Sequence, residues 1–134
     1  YEHINTRDRE IDIVGQGPGV SIIDGSSTYR TVSINSTVLF SGFTIQNGYV
    51  TDEMNIDRGG GMRIDDENVV VENCYFTNNS CPGGGDHLKL GTGGVIIKKC
   101  AFTNNLSSYP IHADNAAQGG TFIKIWPEFE TISA

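Results

Sequence analysis

The hydrophobic and polar positions of the chain alternate in a ten-residue pattern that occurs three times. The copies are VLFSGFTIQN at 38–47, VVVENCYFTN at 69–78 and VIIKKCAFTN at 95–104. Their apolar positions coincide without a gap, and their starts lie 31 (69−38) and then 26 (95−69) residues apart. A period of about 20 to 50 residues is typical of a solenoid, in which each unit buries its apolar face against its neighbours.

The alternation within each copy has the period of a β-strand and not that of a helix. Each copy therefore predicts two short strands joined by a two-residue corner, and a third alternating run follows after a loop, as in Met62-x-Ile64. Parallel strands in successive coils would stack about 4.8 Å apart, so that equivalent side chains lie on one another.

Further alternating runs extend the repeat in both directions. Ile11-x-Ile13, Val20-x-Ile22 and Val32-x-Ile34 predict one earlier coil, and Thr121-x-Ile123 predicts the start of a later one. The expected coils are 11–37, 38–68, 69–94, 95–120 and a remnant from 121. We expect one domain, with the β-helix at 11–125, a covering or donated strand in 1–10 and a tail or cap at 126–134.

The segments IDIVGQGPGVSIIDG, LFSGFTIQNG, GGGMRI and VENCYFTNNS resemble the right-handed parallel β-helix of the pectin-lyase-like superfamily over about residues 11–125. The resemblance implies an all-β fold, a right-handed parallel β-helix solenoid of about four to five coils of three short strands. It also implies a secreted or cell-surface protein. It selects no activity, because this fold carries lyases, hydrolases, tailspikes, adhesins and structural fibres.

The net charge and the hydropathy of the chain limit the kinds of partner that it is expected to bind. The net charge of −7 argues against nucleic acid and anionic membranes, which basic patches bind. The sequence contains no run of 18 apolar residues, so we expect no membrane insertion.

Because the chain begins with Tyr1 and not with Met, we expect either a removed leader or a piece of a longer protein.

The three cysteines suggest two environments. Cys74 and Cys100 hold the same inward position in adjacent coils, where in-register stacking disfavours the dihedral angle of a disulfide. We expect two buried free thiols that behave as small hydrophobic side chains. Cys81 lies in the loop NNSCPGGGD, where we expect an exposed thiol. It would either cross-link to another chain or remain unpaired or locally buried.

Asparagine closes each copy of the pattern. Asn47, Asn78 and Asn104 predict a ladder of amides that hydrogen-bond to one another along the stack. Three N-x-[ST] sequons begin at Asn35, Asn78 and Asn105, and Asn35 and Asn105 are the better candidate acceptors because they fall in corners.

The outward strand positions favour binding over catalysis. The third strands place Ser33, Arg63, Lys89 and His112 in one outward column, which is basic and lacks carboxylates. Glycosidases and lyases of the resembling fold carry paired carboxylates or calcium-binding aspartates on such faces. We therefore expect no catalytic residues, no metal and no cofactor. Arg63, Lys89 and His112 are candidate contacts for an acidic glycan, with a solvated polar face as the alternative.

The first strands place an apolar stripe on the outside, at Leu39, Val70, Ile96 and Phe122. Contiguous exposed apolar surface marks a contact site, covered either by the chain's own terminal segments or by another subunit. Trp126 is expected to plug the core end, and Pro127 to stop the strand ladder. No amphipathic capping helix precedes Ile11, so head-to-tail stacking would satisfy both open ends and propagate into a fibre.

Three functions follow from these features. The first is a secreted structural protein whose subunits assemble head to tail into an extracellular filament. The second is a glycan-binding adhesin module that uses the basic column. The third is a fragment of a pectin-lyase-like polysaccharide lyase or hydrolase. The expected partner is another copy of the chain, with covalent or bound glycan as an addition.

Overall fold

A computed structural model describes residues 3–36, 38–50, 59–66, 68–81, 86–90, 95–105 and 109–113. For 86–90 and 109–113 the description covers the backbone only. Within these ranges the chain is all-β and every strand pair is parallel. The predicted coil at 121 and beyond, with Phe122 and Trp126, lies outside the described residues.

The strands form three parallel sheets. Sheet A contains, in spatial order, β1 (Ile4–Asn5), β4 (Val32–Ile34), β7 (Met62–Ile64), β10 (Asp86–Leu90) and β13 (Tyr109–Ala113). Sheet B contains β2 (Ile13–Val14), β5 (Leu39–Ser41), β8 (Val70–Glu72) and β11 (Ile96–Lys98). Sheet C contains β3 (Ile22–Asp24), β6 (Thr44–Gln46), β9 (Tyr75–Thr77) and β12 (Ala101–Thr103).

The register of the strands follows the repeat read from the sequence. Phe40 pairs with Val71, and Val71 with Ile97, while Ile45 pairs with Phe76. These residues are fully buried because alternate side chains of each strand point to the interior. The rings of Phe76 and Phe102 stack with centroids 4.8 Å apart and planes 11° apart. In-register stacking of like side chains is therefore present in the core.

One hydrophobic cluster contains residues from all three sheets. Val32 and Met62 enter it from sheet A, Phe40 from sheet B, and Ile23 and Ile45 from sheet C. The apolar faces of the three sheets are thus buried against one another, which is how short strands gain stability that a single sheet would lack.

The first repeat departs from the prediction in sheet C. The structure pairs Ile22 with Thr44 and Ile23 with Ile45, so Ile23 is the buried residue. Val20 and Ile22 are 66% and 48% exposed, and the prediction that they face inward is wrong. The segment VSIID allows two alternating patterns, and the pairing with β6 selects the one that buries Ile23.

The corners depend on left-handed backbone conformations. Between sheets B and C, Gly42, Asn73 and Lys99 have φ values of 84°, 52° and 52°. A side chain at Gly42 would also contact the carbonyl oxygen of Gly15 in the preceding repeat. Glycine and asparagine adopt this region at low cost, so the residues chosen at the corners match the backbone that the stack requires. Lys99 adopts it without that advantage.

Candidate functional site

The amide ladder lies one residue later than predicted. Asn79 and Asn105 are 0% and 1% exposed, whereas Asn78 and Asn104 are exposed. The Asn105 Oδ1 accepts hydrogen bonds from the Asn79 N–H at 2.9 Å and from its Nδ2 at 3.2 Å. The Asn79 Oδ1 accepts one from the Gly48 N–H at 2.9 Å. The prediction of a ladder at 47, 78 and 104 is wrong by one position.

The backbone explains the shift. Asn47, Asn78 and Asn104 have φ values of 53°, 54° and 53°, so the left-handed turn falls on the residue that was expected to stack. The turn ends the strand alternation and directs the next side chain into the interior. Each buried amide also donates to a strand carbonyl, with Asn79 bonded to Ile45 and Asn105 to Phe76. The ladder therefore connects successive repeats by satisfied buried polar groups.

The structure reverses the ranking of the sequons. Asn105, predicted to be a good acceptor for glycosylation, has its amide in the buried ladder, so that prediction is contradicted. Asn35 is half-buried, and the adjacent Ser36 is 3% exposed and donates to the Arg9 carbonyl. Asn78 is exposed. Of the three asparagines, Asn78 presents the most accessible side chain.

All three cysteines are buried free thiols. Cys74 and Cys100 donate hydrogen bonds to the carbonyls of Glu72 at 3.2 Å and Lys98 at 3.3 Å. The hydrogen bond with Cys74, together with burial, raises the pKa of the Cys100 thiol, which keeps it protonated. Cys81 is 0% exposed, so the prediction of an exposed thiol is wrong.

The outward stripe of sheet B is aligned as expected. The register pairs Leu39 with Val70 and Val70 with Ile96. These side chains are half-buried, and Asp12, whose carboxylate accepts from the Leu39 N–H at 3.0 Å, holds the equivalent position of the first repeat. The apolar stripe therefore ends at Asp12, and its Phe122 member lies outside the described residues.

The outward column of sheet A is also in register. The pairing aligns Asn5 with Ser33, Ser33 with Arg63, Arg63 with Lys89, and Lys89 with His112. Arg63 forms an ion pair with Asp65, with 2.6 Å between Nε and Oδ2. The three basic residues named from the sequence thus occupy consecutive positions of one backbone column, and Asn5 extends that column through β1.

The outward carboxylates beside these strands are engaged in structural contacts. Glu72 pairs with Lys98 at 3.2 Å on the adjacent strand. Asp24 accepts from Gln46 at 2.8 Å and from Asn47 at 2.9 Å. The hydrogen bond from Gln46 contributes most to lowering the pKa of Asp24, and partial burial opposes it. Both carboxylates stabilise neighbouring strands.

The first repeat carries exposed apolar side chains that the sequence did not single out. Ile11, Val14, Val20 and Ile22 are 50%, 64%, 66% and 48% exposed, and they lie in or beside the edge strands β2 and β3. The register of β2 with β5 places Ile11 level with Val38, which is 4% exposed. This position is therefore buried in the second repeat, which has a repeat on both sides. It is exposed in the first repeat, where one side is uncovered.

In the described ranges, no group of three or more His, Cys, Asp or Glu side chains is arranged to hold a metal ion. The same part of the chain contains no helix with the length and apolar character needed to cross a membrane. No protein-family model matches the chain, and no curated protein or solved structure is significantly similar to it.

Proposed function

We propose that the chain is a right-handed parallel β-helix of the pectin-lyase-like type that serves as a secreted structural subunit and assembles end to end into an extracellular filament. The three parallel sheets with a shared core support the solenoid, since each repeat contributes one strand to each sheet. Connections between parallel strands of the same sheet are almost always right-handed. The chain's partner is another copy of itself, and no catalytic role is assigned.

The observation that carries this proposal is the exposed apolar surface at the edge of the first repeat. Ile11, Val14, Val20 and Ile22 surround strands β2 and β3, each the last strand of its sheet. Edge strands present unpaired backbone groups to any strand that can align with them. A further coil placed there would pair these groups and cover Ile11, because the equivalent Val38 is 4% exposed where a repeat lies on both sides.

Burial of apolar side chains in such a contact would contribute free energy to assembly. A fully buried Val or Ile contributes roughly 2 kcal/mol, so a half-exposed one leaves about 1 kcal/mol ungained. Covering Ile11 would therefore gain about 1 kcal/mol before any strand pairing is counted. A contact between the first repeat of one copy and the last repeat of another is heterologous, and it propagates because nothing closes it.

Electron microscopy and light scattering over a dilution series test the proposal. The wild-type chain should form thin fibres whose mass increases with concentration. Ile22→Lys should abolish them, because it puts a charge on the edge strand of sheet C. Tyr75→Lys is the matched control: Tyr75 holds the same outward column, is 51% exposed and lies on the inner strand β9. Its fibres should persist.

Two results would count against assembly. Monomers at every concentration would show that the first-repeat surface is not used between copies. Equal loss of fibres in Ile22→Lys and Tyr75→Lys would show that the charge itself, and not the edge position, prevents association. Circular dichroism of both variants checks that the β-structure is retained.

The register favours one second candidate, an adhesin-like module that binds an acidic glycan. Arg63, Lys89 and His112 lie in one column at strand spacing, which suits a linear polyanion that runs along the stack. Polygalacturonate binding that weakens in Lys89→Ala, but not in Lys98→Ala on sheet B, would support this function. Equal affinities in both variants would contradict it.

A further inference from the structure

A polar cavity of about 270 Å³ lies beside β1, in the segment that precedes β2. Its lining consists of His3, Asn5, Thr6, Arg7 and Arg9. Two of these five side chains, Arg7 and Arg9, are permanently positive and none is acidic, whereas the chain as a whole carries a net charge of −7. The lining therefore offers positive charge to a ligand, although Asp8 and Glu10 lie beside it in the sequence.

A tight turn sets the backbone of the two arginines that line the cavity. The Arg9 N–H donates to the Thr6 carbonyl at 3.1 Å, and Arg7 and Asp8 have φ values of 48° and 60°. The Arg7 N–H is bonded to the Asn5 Oδ1 at 2.9 Å. Two central residues with positive φ define a type I′ turn, which has little freedom. The sequence RDR thus places Arg7 and Arg9 two residues apart on a defined backbone, and both side chains line the cavity.

Neither guanidinium has an anionic partner in the part of the chain that the structure describes. Arg7 and Arg9 form no ion pair there, although Asp8 and Glu10 are their neighbours in sequence. Guanidinium groups bind carboxylate, sulfate and phosphate through paired N–H donors. Two of them at one cavity form a recognition element for an oxyanion.

Thr6 adds a hydroxyl donor to the same cavity. Thr6 is 3% exposed, and its Oγ1 accepts from the Asn35 N–H at 2.9 Å. Among the described residues no group accepts the Thr6 hydroxyl proton, which leaves a buried donor without a partner. The His3 Nδ1 donates to the Arg30 carbonyl at 2.6 Å, because a carbonyl only accepts. In the neutral ring Nε2 is then an acceptor, so His3 lines the cavity without offering a donor to an anion.

We propose that this cavity is a binding site for an oxyanion, held by Arg7 and Arg9 and supported by the Thr6 hydroxyl. Its volume corresponds to about nine water molecules, since a water occupies roughly 30 Å³ in the liquid. A single sugar ring that bears a carboxylate or sulfate fits that space, and so does a free inorganic anion. The shared chemistry of these ligands is the oxyanion.

Isothermal titration calorimetry on the full chain at constant ionic strength tests the site with three ligands. Sodium sulfate supplies the bare oxyanion, galacturonate supplies it on a sugar, and galactose is the neutral control. Arg7→Gln and Arg9→Gln should each weaken binding by about tenfold, because each removes a charge-assisted contact. Lys99→Gln removes the same charge at an exposed corner outside the cavity and should leave the affinity unchanged.

The outcomes separate the two sources of the anion. Similar binding of sulfate and galacturonate would show that the oxyanion alone is recognised, whereas binding of galacturonate alone would show that an acidic sugar carries it. Absence of saturable binding for both ligands at millimolar concentration would overturn the proposal. An equal loss of affinity in Lys99→Gln and Arg9→Gln would do so as well, since it would reduce the effect to net charge.

Discussion

The buried amide ladder gives the sharpest test of the structure, because the sequence and the fold disagree about its position by one residue. We consider the same substitution, asparagine to glycine, at Asn104 and at Asn105. The change in the unfolded chain is the same in both variants, so the difference between them reports the folded state. Asn104 is exposed with φ of 53°, a conformation that glycine adopts freely.

Asn105→Gly removes three hydrogen bonds from a buried site. The Asn79 N–H and one Nδ2 hydrogen lose their acceptor, and the Phe76 carbonyl loses its donor. A buried polar group without a partner costs roughly 1–3 kcal/mol. The three groups therefore predict a loss of at least about 3 kcal/mol for Asn105→Gly, against less than about 1 kcal/mol for Asn104→Gly.

Urea denaturation followed by circular dichroism measures both free energies of unfolding, provided that the slopes of the transitions agree. If Asn105→Gly alone loses its cooperative unfolding transition, that variant has lost more free energy of unfolding than Asn104→Gly, as expected. An equal cost for the two variants, or a larger one for Asn104→Gly, would refute the reasoning and return the ladder to Asn47, Asn78 and Asn104.

Three further predictions concern thiols, pH and packing. Ellman's reagent should react slowly with Cys74, Cys81 and Cys100 in the native protein and rapidly with all three in denaturant, because all are buried; a fast native phase of any thiol would contradict the burial of all three. Since the pKa of Asp24 lies below its ordinary value of 3.8, its contribution to stability is present above that pH and is lost as the pH falls through the lowered pKa. Asp24→Asn should therefore flatten the stability curve below about pH 4, and an unchanged curve would dismiss this role. Gly48→Ala should lower the free energy of unfolding by more than about 2 kcal/mol in urea denaturation, because the added Cβ would clash with the backbone carbonyl of Gly60; a neutral effect would show that the two repeats can separate there.

Strand positions could be predicted because side-chain alternation is a local property. The three copies of the pattern place Phe40, Ile45 and Val71 inside, and the structure buries all three. Pairing between the copies also follows, since a shift of one residue would turn the apolar side chains outward. The alternation is ambiguous in the sheet C strand of the first repeat, because Val20, Ile22 and Ile23 are all apolar. Two registers therefore match the sequence equally well.

Corner residues could not be placed in the same way. Strand alternation extended past Ile45 would put Asn47 inside, but the left-handed φ of Asn47 ends that alternation. Cys81 follows the buried Asn79 and the Ser80 N–H that donates to Gly48 at 2.8 Å, so its burial depends on the neighbouring repeat. The loop composition around Cys81 contains no sign of that contact.

The amino-acid sequence by itself determined the repeat, the all-β class, the parallel stacking of equivalent strands and the apolar residues of the core, because these depend on a period of two within strands and a period of 26 to 31 residues between them. The tertiary structure alone decided which asparagine of each corner enters the interior, which thiols are covered, which apolar side chains of the first repeat stay exposed, and where Arg7 and Arg9 meet around a cavity. These features depend on backbone turns and on contacts between repeats, where residues distant in sequence become neighbours.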